Sequence, residues 1–354
     1  MHATTAGGPE TAPISLGQKG ILWSLFFLIC MGLGYPTLNR YDPRSITGLY
    51  DSRAYYSLVT GTPLKEDQSD LAHRVLVPFV AKPIYWLVNG HLRTWEPVFF
   101  ALLAANSFFI ATTACLLVAV SHRVVGDYAV ALLSGFIYLA NFAVANFNLS
   151  GYVDSAVNCM MMAIVWTLLA ECWWLLPLWG ILGALAKETF VPLSVVFAFA
   201  WWLTAWRRGS LRISRLAWIG AMAVVGLATV TLLMSRGAHP YTPWSFAGSR
   251  AAMRFGGLFF LSGLVRCLAA REFLFVFAWL LPLGLLRLGR LPRAWIAGSA
   301  WATFAALAMG AYDDALGNAT RALFSACGPV LSLSVALLLV DAARGAHNPK
   351  TQLN

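Results

Sequence analysis

Apolar residues along this chain come in long continuous blocks rather than in alternating or one-sided patterns. The blocks cover residues 20–37, 97–120, 128–147, 154–171, 173–186, 189–206, 216–234, 272–288, 294–311 and 321–341. A helix rises ~1.5 Å per residue, so about 20 apolar residues cross the hydrocarbon core of a bilayer. The pattern predicts an all-α, polytopic transmembrane protein of about ten spans, the fifth of them short and interrupted by Pro177. Two segments break the rhythm. In the long first loop, 38–96, the stretch from Asp51 predicts a short helix, and 71–87 predicts an amphipathic segment broken by Pro78 and Pro83. Such a segment suits a helix lying in the membrane interface. In the second long segment, 235–271, residues 250–270 predict another interfacial or re-entrant helix. Residues 1–18 are small and polar, with no basic region ahead of an apolar run. They read as a disordered tail rather than a cleavable signal. That leaves 19–343 as a single transmembrane domain and 344–354 as a second tail.

Composition agrees with a lipid-facing surface. Hydrophobic residues make up 59% of the 354 and charged residues only 11%, against roughly 25% charged in a soluble domain. The net charge of +10 invites a nucleic-acid reading, but basic loops are ordinary in membrane proteins and no basic module interleaved with aromatics is present. No nucleic-acid partner is expected. The six cysteines show no CxxC spacing and read as small apolar residues. Nucleotide-binding and zinc-protease motifs are absent.

Charge also sets the expected orientation. The most basic short loop, 206–215, belongs in the cytoplasm by the positive-inside rule. With ten spans, the loop holding Arg287, Arg290 and Arg293, the His122-Arg123 turn, and the tail with Arg344 and Lys350 share its side, and both termini are cytoplasmic. The opposite side then collects Asp42, Asp51, Asp154, Lys187, Glu188, Asp313 and Asp314, with Arg321 opening the last span. Ionisable groups at a membrane are costly and mark functional sites. This gathering from four separated loops is the candidate site.

Each residue has a structural and a chemical reading. Asp51 and Asp154 both stand where a helix N-cap is needed, and both supply a carboxylate that takes a proton. Lys187 and Glu188 break a long apolar stretch at a tight corner, where they either pair with each other or serve a ligand, Lys187 meeting a phosphate and Glu188 holding it in place. Arg321 is either a snorkelling helix-end charge or a bidentate phosphate binder, and Asp313 and Asp314 are either its partners or ordinary turn residues. Arg74 and His73 stand in the same relation to an anion, His73 also offering acid–base chemistry.

Four features in order resemble the GT-C superfamily of membrane glycosyltransferases, in particular its bacterial mannosyltransferase-like members. They are Tyr50-Asp51-Ser-Arg-Ala-Tyr55-Tyr56, His73-Arg74-Val-Leu-Val-Pro78, Gly151-Tyr-Val-Asp154 with Gly183-Ala-Leu-Ala-Lys187-Glu188, and Tyr312-Asp313-Asp314 with Arg321 and Pro329. The resemblance implies a GT-C-like fold with interfacial helices in its first extracytoplasmic loop. It also implies transfer of a sugar from a polyprenyl-phosphate donor to a glycan, lipid or protein acceptor, in a bacterial inner (plasma) membrane. Asp51 and Asp154 would be catalytic. Arg74, Lys187 and Arg321 would bind the donor phosphate, supported by His73, Glu188, Tyr55, Asp313 and Asp314. Many members carry two adjacent acids in the first loop, whereas here the nearest partner of Asp51 is Asp42. A divalent cation (Mg or Mn) is therefore an open element of the expectation, and no other cofactor is implied. The competing reading is a transporter or lipid-linked-sugar flippase without covalent chemistry. It would favour charges near the membrane midplane and internal symmetry, neither of which the sequence displays.

Overall fold

The computed structural model describes residues 16–38, 50–64, 71–92, 94–206, 213–235, 257–313 and 318–346. Among these residues there are helices and turns but no strands. The helices are α1 (Leu16–Leu38), α2 (Tyr50–Thr60), α3 (Leu76–Val88), α4 (Pro97–Val125), α5 (Tyr128–Leu139), α6 (Asp154–Leu169), α7 (Leu176–Ala186), α8 (Phe190–Trp206) and α9 (Ile213–Ser235). After the second long segment come α10 (Gly257–Ala269), α11 (Arg271–Phe277), α12 (Leu280–Leu285), α13 (Arg293–Asp313) and α14 (Asn318–Ala346). Five of them, α1, α4, α9, α13 and α14, contain stretches long and apolar enough to cross a membrane. The chain is thus an all-helical protein with the character of an integral membrane protein. Shorter apolar helices occupy the other expected spans up to 206, and the block at 272–288 is divided between α11 and α12.

Local chemistry explains the turns. At the start of α4, Glu96 accepts from the Phe99 amide at 2.8 Å and Pro97 takes a position where a missing N–H costs nothing. The helix stops at Gly126, whose φ of 75° is open to glycine at little cost. Asp127 then caps α5 by accepting from Ala129 and Val130. A two-residue turn therefore folds α5 back along α4. The corner between α7 and α8 takes three residues, 187–189. Lys187 adopts an extended backbone, and the Phe190 ring lies where any side chain at position 183 would stand, so only Gly183 fits.

α4 and α14 form the buried axis. α4 packs against α1, α3, α5 and α6, while α14 packs against α5, α6, α12 and α13. Tyr138 and Phe324 stack at 5.2 Å where α5 meets α14. α1 and α9 lie at the periphery with much of their apolar surface exposed, as lipid-facing helices would be.

Three expectations need correction. Pro78 and Pro83 do not break the amphipathic segment, because α3 runs unbroken from Leu76 to Val88. Pro78 falls in the first turn, where its lack of an N–H is harmless, and Pro83 forfeits one backbone bond while its neighbours hold the helix. Pro177 does not interrupt its helix but starts it, at the N-terminus of α7. The block at 128–147 is not one helix. α5 ends at Leu139, and a π-helical turn, Val144–Asn148, follows. The predicted first-loop helix is α2, and α10 lies in the region expected to hold a second interfacial helix. The N-terminal tail falls almost wholly outside the described residues, α1 already beginning at Leu16.

Candidate functional site

The site is centred on Asp154, the first residue of α6. The π-helical turn and Gly151, whose φ is 85°, redirect the chain just before it. A side chain at position 151 would come within 3.6 Å of Ser52, so the 148–154 turn lies directly against α2. Asp154 is 4% exposed, yet both carboxylate oxygens have cationic partners. Lys187 Nζ donates to Oδ1 at 2.8 Å, and Arg321 Nη1 donates to Oδ2 at 3.0 Å. Lys187 arrives from the α7–α8 corner and Arg321 from the first turn of α14. The Arg321 guanidinium also lies over the Tyr152 ring, 4.4 Å from its centroid, a stacking available to Arg and worth ~0.5–2 kcal/mol according to its desolvation.

A second group adjoins it. Glu188 is gripped from two sides by Arg74, Nε to Oε2 at 2.9 Å and Nη2 to Oε1 at 2.6 Å. This is the bidentate fork that an arginine makes with a carboxylate. His73 Nε2 meets the same Oε2 at 2.6 Å. An ionised carboxylate only accepts, so Nε2 carries the proton, and the buried Nδ1 has no partner among the described residues. Burial acts against the Glu188 charge, but Arg74 and the His73 hydrogen bond outweigh it and hold the Glu188 pKa well below its ordinary 4.5. Burial also draws the Lys187 pKa below the usual lysine value, against the opposing pull of Asp154.

Tyr55 and Asp51, both on α2, complete the cluster. The Tyr55 hydroxyl accepts from Arg74 Nη1 at 3.4 Å and is fully buried. Burial raises its pKa, so it stays a neutral phenol. Asp51 Oδ2 stands 3.6 Å from Arg74 Nη1, and its side chain is 23% exposed. It is the most exposed of the three acids here, since Glu188 is 19% and Asp154 5% exposed at the side chain. Tyr55 is within electrostatic reach of both Asp51 and Asp154, which ties the two groups into one.

Asp51, Tyr55, His73, Arg74, Asp154, Lys187, Glu188 and Arg321 therefore share one region. Asp313 ends α13, Asp314 lies outside the described residues, and so does Asp42. One expected pairing is replaced. Lys187 and Glu188 do not pair with each other, and Glu188 does not hold Lys187 in place. The extended backbone at Lys187 separates their side chains, so Lys187 turns to Asp154 and Glu188 to Arg74 and His73. Arg321 pairs with Asp154. Tyr152 was not foreseen; its only signal was its place two residues before Asp154 in a charged turn.

Polar side chains continue inward from the site. Ser155 donates to Asn106 Oδ1 at 2.5 Å between α6 and α4. Asn158, one turn below Asp154, is 1% exposed, and neither its amide oxygen nor its nitrogen has a protein partner among the described residues.

A divalent cation fits poorly. Among the described residues no three His, Cys, Asp or Glu side chains converge, and a metal at Asp154 would have to displace both Lys187 and Arg321. The chain was compared with protein-family models, curated proteins and solved structures, and none matches it significantly. What the site can do follows from its own chemistry: three carboxylates and three cations, charge-balanced, with a histidine hydrogen-bonded to one of the carboxylates.

Proposed function

We propose that this chain is an integral-membrane glycosyltransferase of the GT-C type, with about ten spans and its site on the extracytoplasmic face. It would move a sugar from a polyprenyl-phosphate donor to a glycan, lipid or protein acceptor. The observation that carries this reading is the convergence of Arg74, Lys187 and Arg321 on one buried cluster with Asp51 on its more exposed side. In the reaction, an acceptor oxygen forms a bond to the sugar's anomeric carbon while the bond from that carbon to the phosphate oxygen breaks. The acceptor proton passes to Asp51. The polyprenyl phosphate leaves with the electron pair, its growing negative charge met by the three cations in a poorly hydrated setting. Asp154 and Glu188 are positioning residues here, because their oxygens are occupied by the cations they orient. The basic loops at the other ends of the helices support the orientation.

The test is Asp51→Asn assayed in membranes with labelled polyprenyl-phosphate sugars. Loss of a positioned general base lowers transfer by about 10²–10⁴-fold. Unchanged transfer removes Asp51 from the role of base. A second reading, a transporter for a lipid-linked sugar, draws on the unsatisfied Asn158 and the Asn106–Ser155 pair inside the bundle, since buried polar groups line translocation paths. Labelled-substrate exchange across proteoliposomes, with no transfer by the wild type from any donor, would decide for it.

A further inference from the structure

A depression of about 420 Å³ opens where α6, α7 and α9 meet, lined by Glu171, Trp173, Trp174, Ser214, Arg215 and Trp218. It lies at the far end of α6 from Asp154, just beyond Leu169, and takes no part in the cluster described above. Its floor is a constructed unit. Arg215 pairs with Glu171 and lies over the Trp173 ring at 5.3 Å, and the Trp173 indole donates to Glu171 Oε2 at 3.0 Å. Glu171 holds a φ of 60°, the only non-glycine residue among those described with a positive value. A glycine would adopt this conformation more readily, so the chain keeps a carboxylate here at a conformational cost. Glu171 nevertheless remains 58% exposed at its side chain, and Trp174 and Trp218 are 62% and 40% exposed.

Location identifies the neighbours. α9 begins at Ile213 as a membrane-length apolar helix, and its Ile213, Leu216, Val224 and Leu232 are exposed. Lipid is the medium that would cover such a face, and tryptophans at the start of a span lie at headgroup level. The depression offers a carboxylate, a guanidinium, a hydroxyl near a helix N-terminus and two exposed indole faces. The two formal charges cancel, so a ligand of no net charge suits the depression, and one that carries a charge of each sign can address both side chains. An ammonium would sit against Glu171 and the indole faces, and a phosphodiester against Arg215 and Ser214.

We propose that this depression binds the headgroup of a phospholipid bearing a primary ammonium and a phosphodiester, that is, of the phosphatidylethanolamine class. A primary ammonium donates hydrogen bonds to Glu171, which a quaternary ammonium cannot do. A headgroup with no ammonium brings a net negative charge beside the Glu171–Arg215 pair, with nothing of its own to offset it. The proposal does not rest on the transferase reading, because its test measures lipid retention and not sugar transfer.

The full chain, purified and delipidated in detergent, is titrated with short-chain phosphatidylethanolamine, phosphatidylcholine, phosphatidylglycerol and inorganic phosphate, and bound lipid is counted by native mass spectrometry. Phosphatidylethanolamine is expected to bind one to one, about tenfold more tightly than the other two lipids, with inorganic phosphate weaker still. Glu171→Gln should reduce it to the phosphatidylcholine level. The double variant Trp174→Ala with Trp218→Ala, made at exposed side chains, should weaken it roughly tenfold without lowering the unfolding temperature appreciably. Equal or tighter binding of phosphatidylglycerol overturns the proposal. So does binding of all three lipids alike that neither the glutamine variant nor the double tryptophan variant changes. If Glu171→Gln does not fold, the double tryptophan variant decides alone.

Discussion

Arg321 and Arg344 stand on the same helix, 23 residues apart and therefore about 34 Å along its axis. Arg321, with a side chain 10% exposed, is held against Asp154 and stacked on Tyr152. Arg344, 67% exposed, reaches across to Asp127. Other pairs follow the same division. Arg287 and Arg290 meet Asp341 at the Arg344 end with partly exposed side chains, whereas Lys187–Asp154 and Arg74–Glu188 at the Arg321 end are mostly shielded from solvent. Exposed pairs contribute about 0–1 kcal/mol each. Buried pairs often give no more net stability than apolar residues of the same shape, yet removing one partner costs about 3–5 kcal/mol. The Arg321 end therefore gathers six charged side chains where apolar ones would serve stability as well, the cost that the proposed function would explain. At the exposed end, Asp127 also caps α5.

The contrast can be broken most severely at Asp154. Asp154→Asn leaves Lys187 and Arg321 buried without their counter-charge, and unfolding in detergent should show a loss of about 3–5 kcal/mol. A loss below ~1 kcal/mol would place the cluster in the same class as the exposed end. Arg74→Lys keeps the charge but loses the fork on Glu188 and the contact with Tyr55. A destabilisation of about 1–3 kcal/mol is expected, and the lysine variant should also bind a phosphate-bearing donor less well than the wild type.

Acid titration separates the ends further. The folded-state pKa of Glu188 lies below its ordinary 4.5, so its contribution to stability is complete above that value and is lost as pH falls through the lower, folded pKa. Unfolding free energy measured from pH 7 down to 3 should therefore carry a Glu188-dependent decline only below about 4.5. Glu188→Gln should remove that part of the slope. The smallest effect belongs to the exposed end, where Asp341→Asn should change stability by no more than about 1 kcal/mol, read from the same unfolding curves. A larger loss there would erase the contrast between the ends.

The helices were legible because apolar blocks near membrane length carry their own signal. Pro97 at the start of α4, and Gly126 and Asp127 at the α4–α5 turn, then punctuate the chain in a way that local rules anticipate. Pro78 and Pro83 leave α3 unbroken, since a proline in a first turn is harmless and a helix packed on its neighbours survives one missing bond. The single block at 128–147 concealed the π-helical turn, because apolar composition does not distinguish a continuous helix from one that changes its winding.

Sequence alone determined that this chain is helical and suited to a membrane, and that its scarce ionisable residues fall into two sets at alternate helix ends. Hydrophobic length and helix period dictate both, residue by residue. Only the tertiary structure decided who pairs with whom. Lys187 and Glu188 are adjacent in sequence, but the extended backbone between α7 and α8 sends one to Asp154 and the other to Arg74 and His73. Asp154 and Arg321 are 167 residues apart and meet because α6 and α14 pack side by side. A buried charge must find its counter-charge wherever the packing brings one, and that partner is set by how the helices assemble rather than by spacing along the chain.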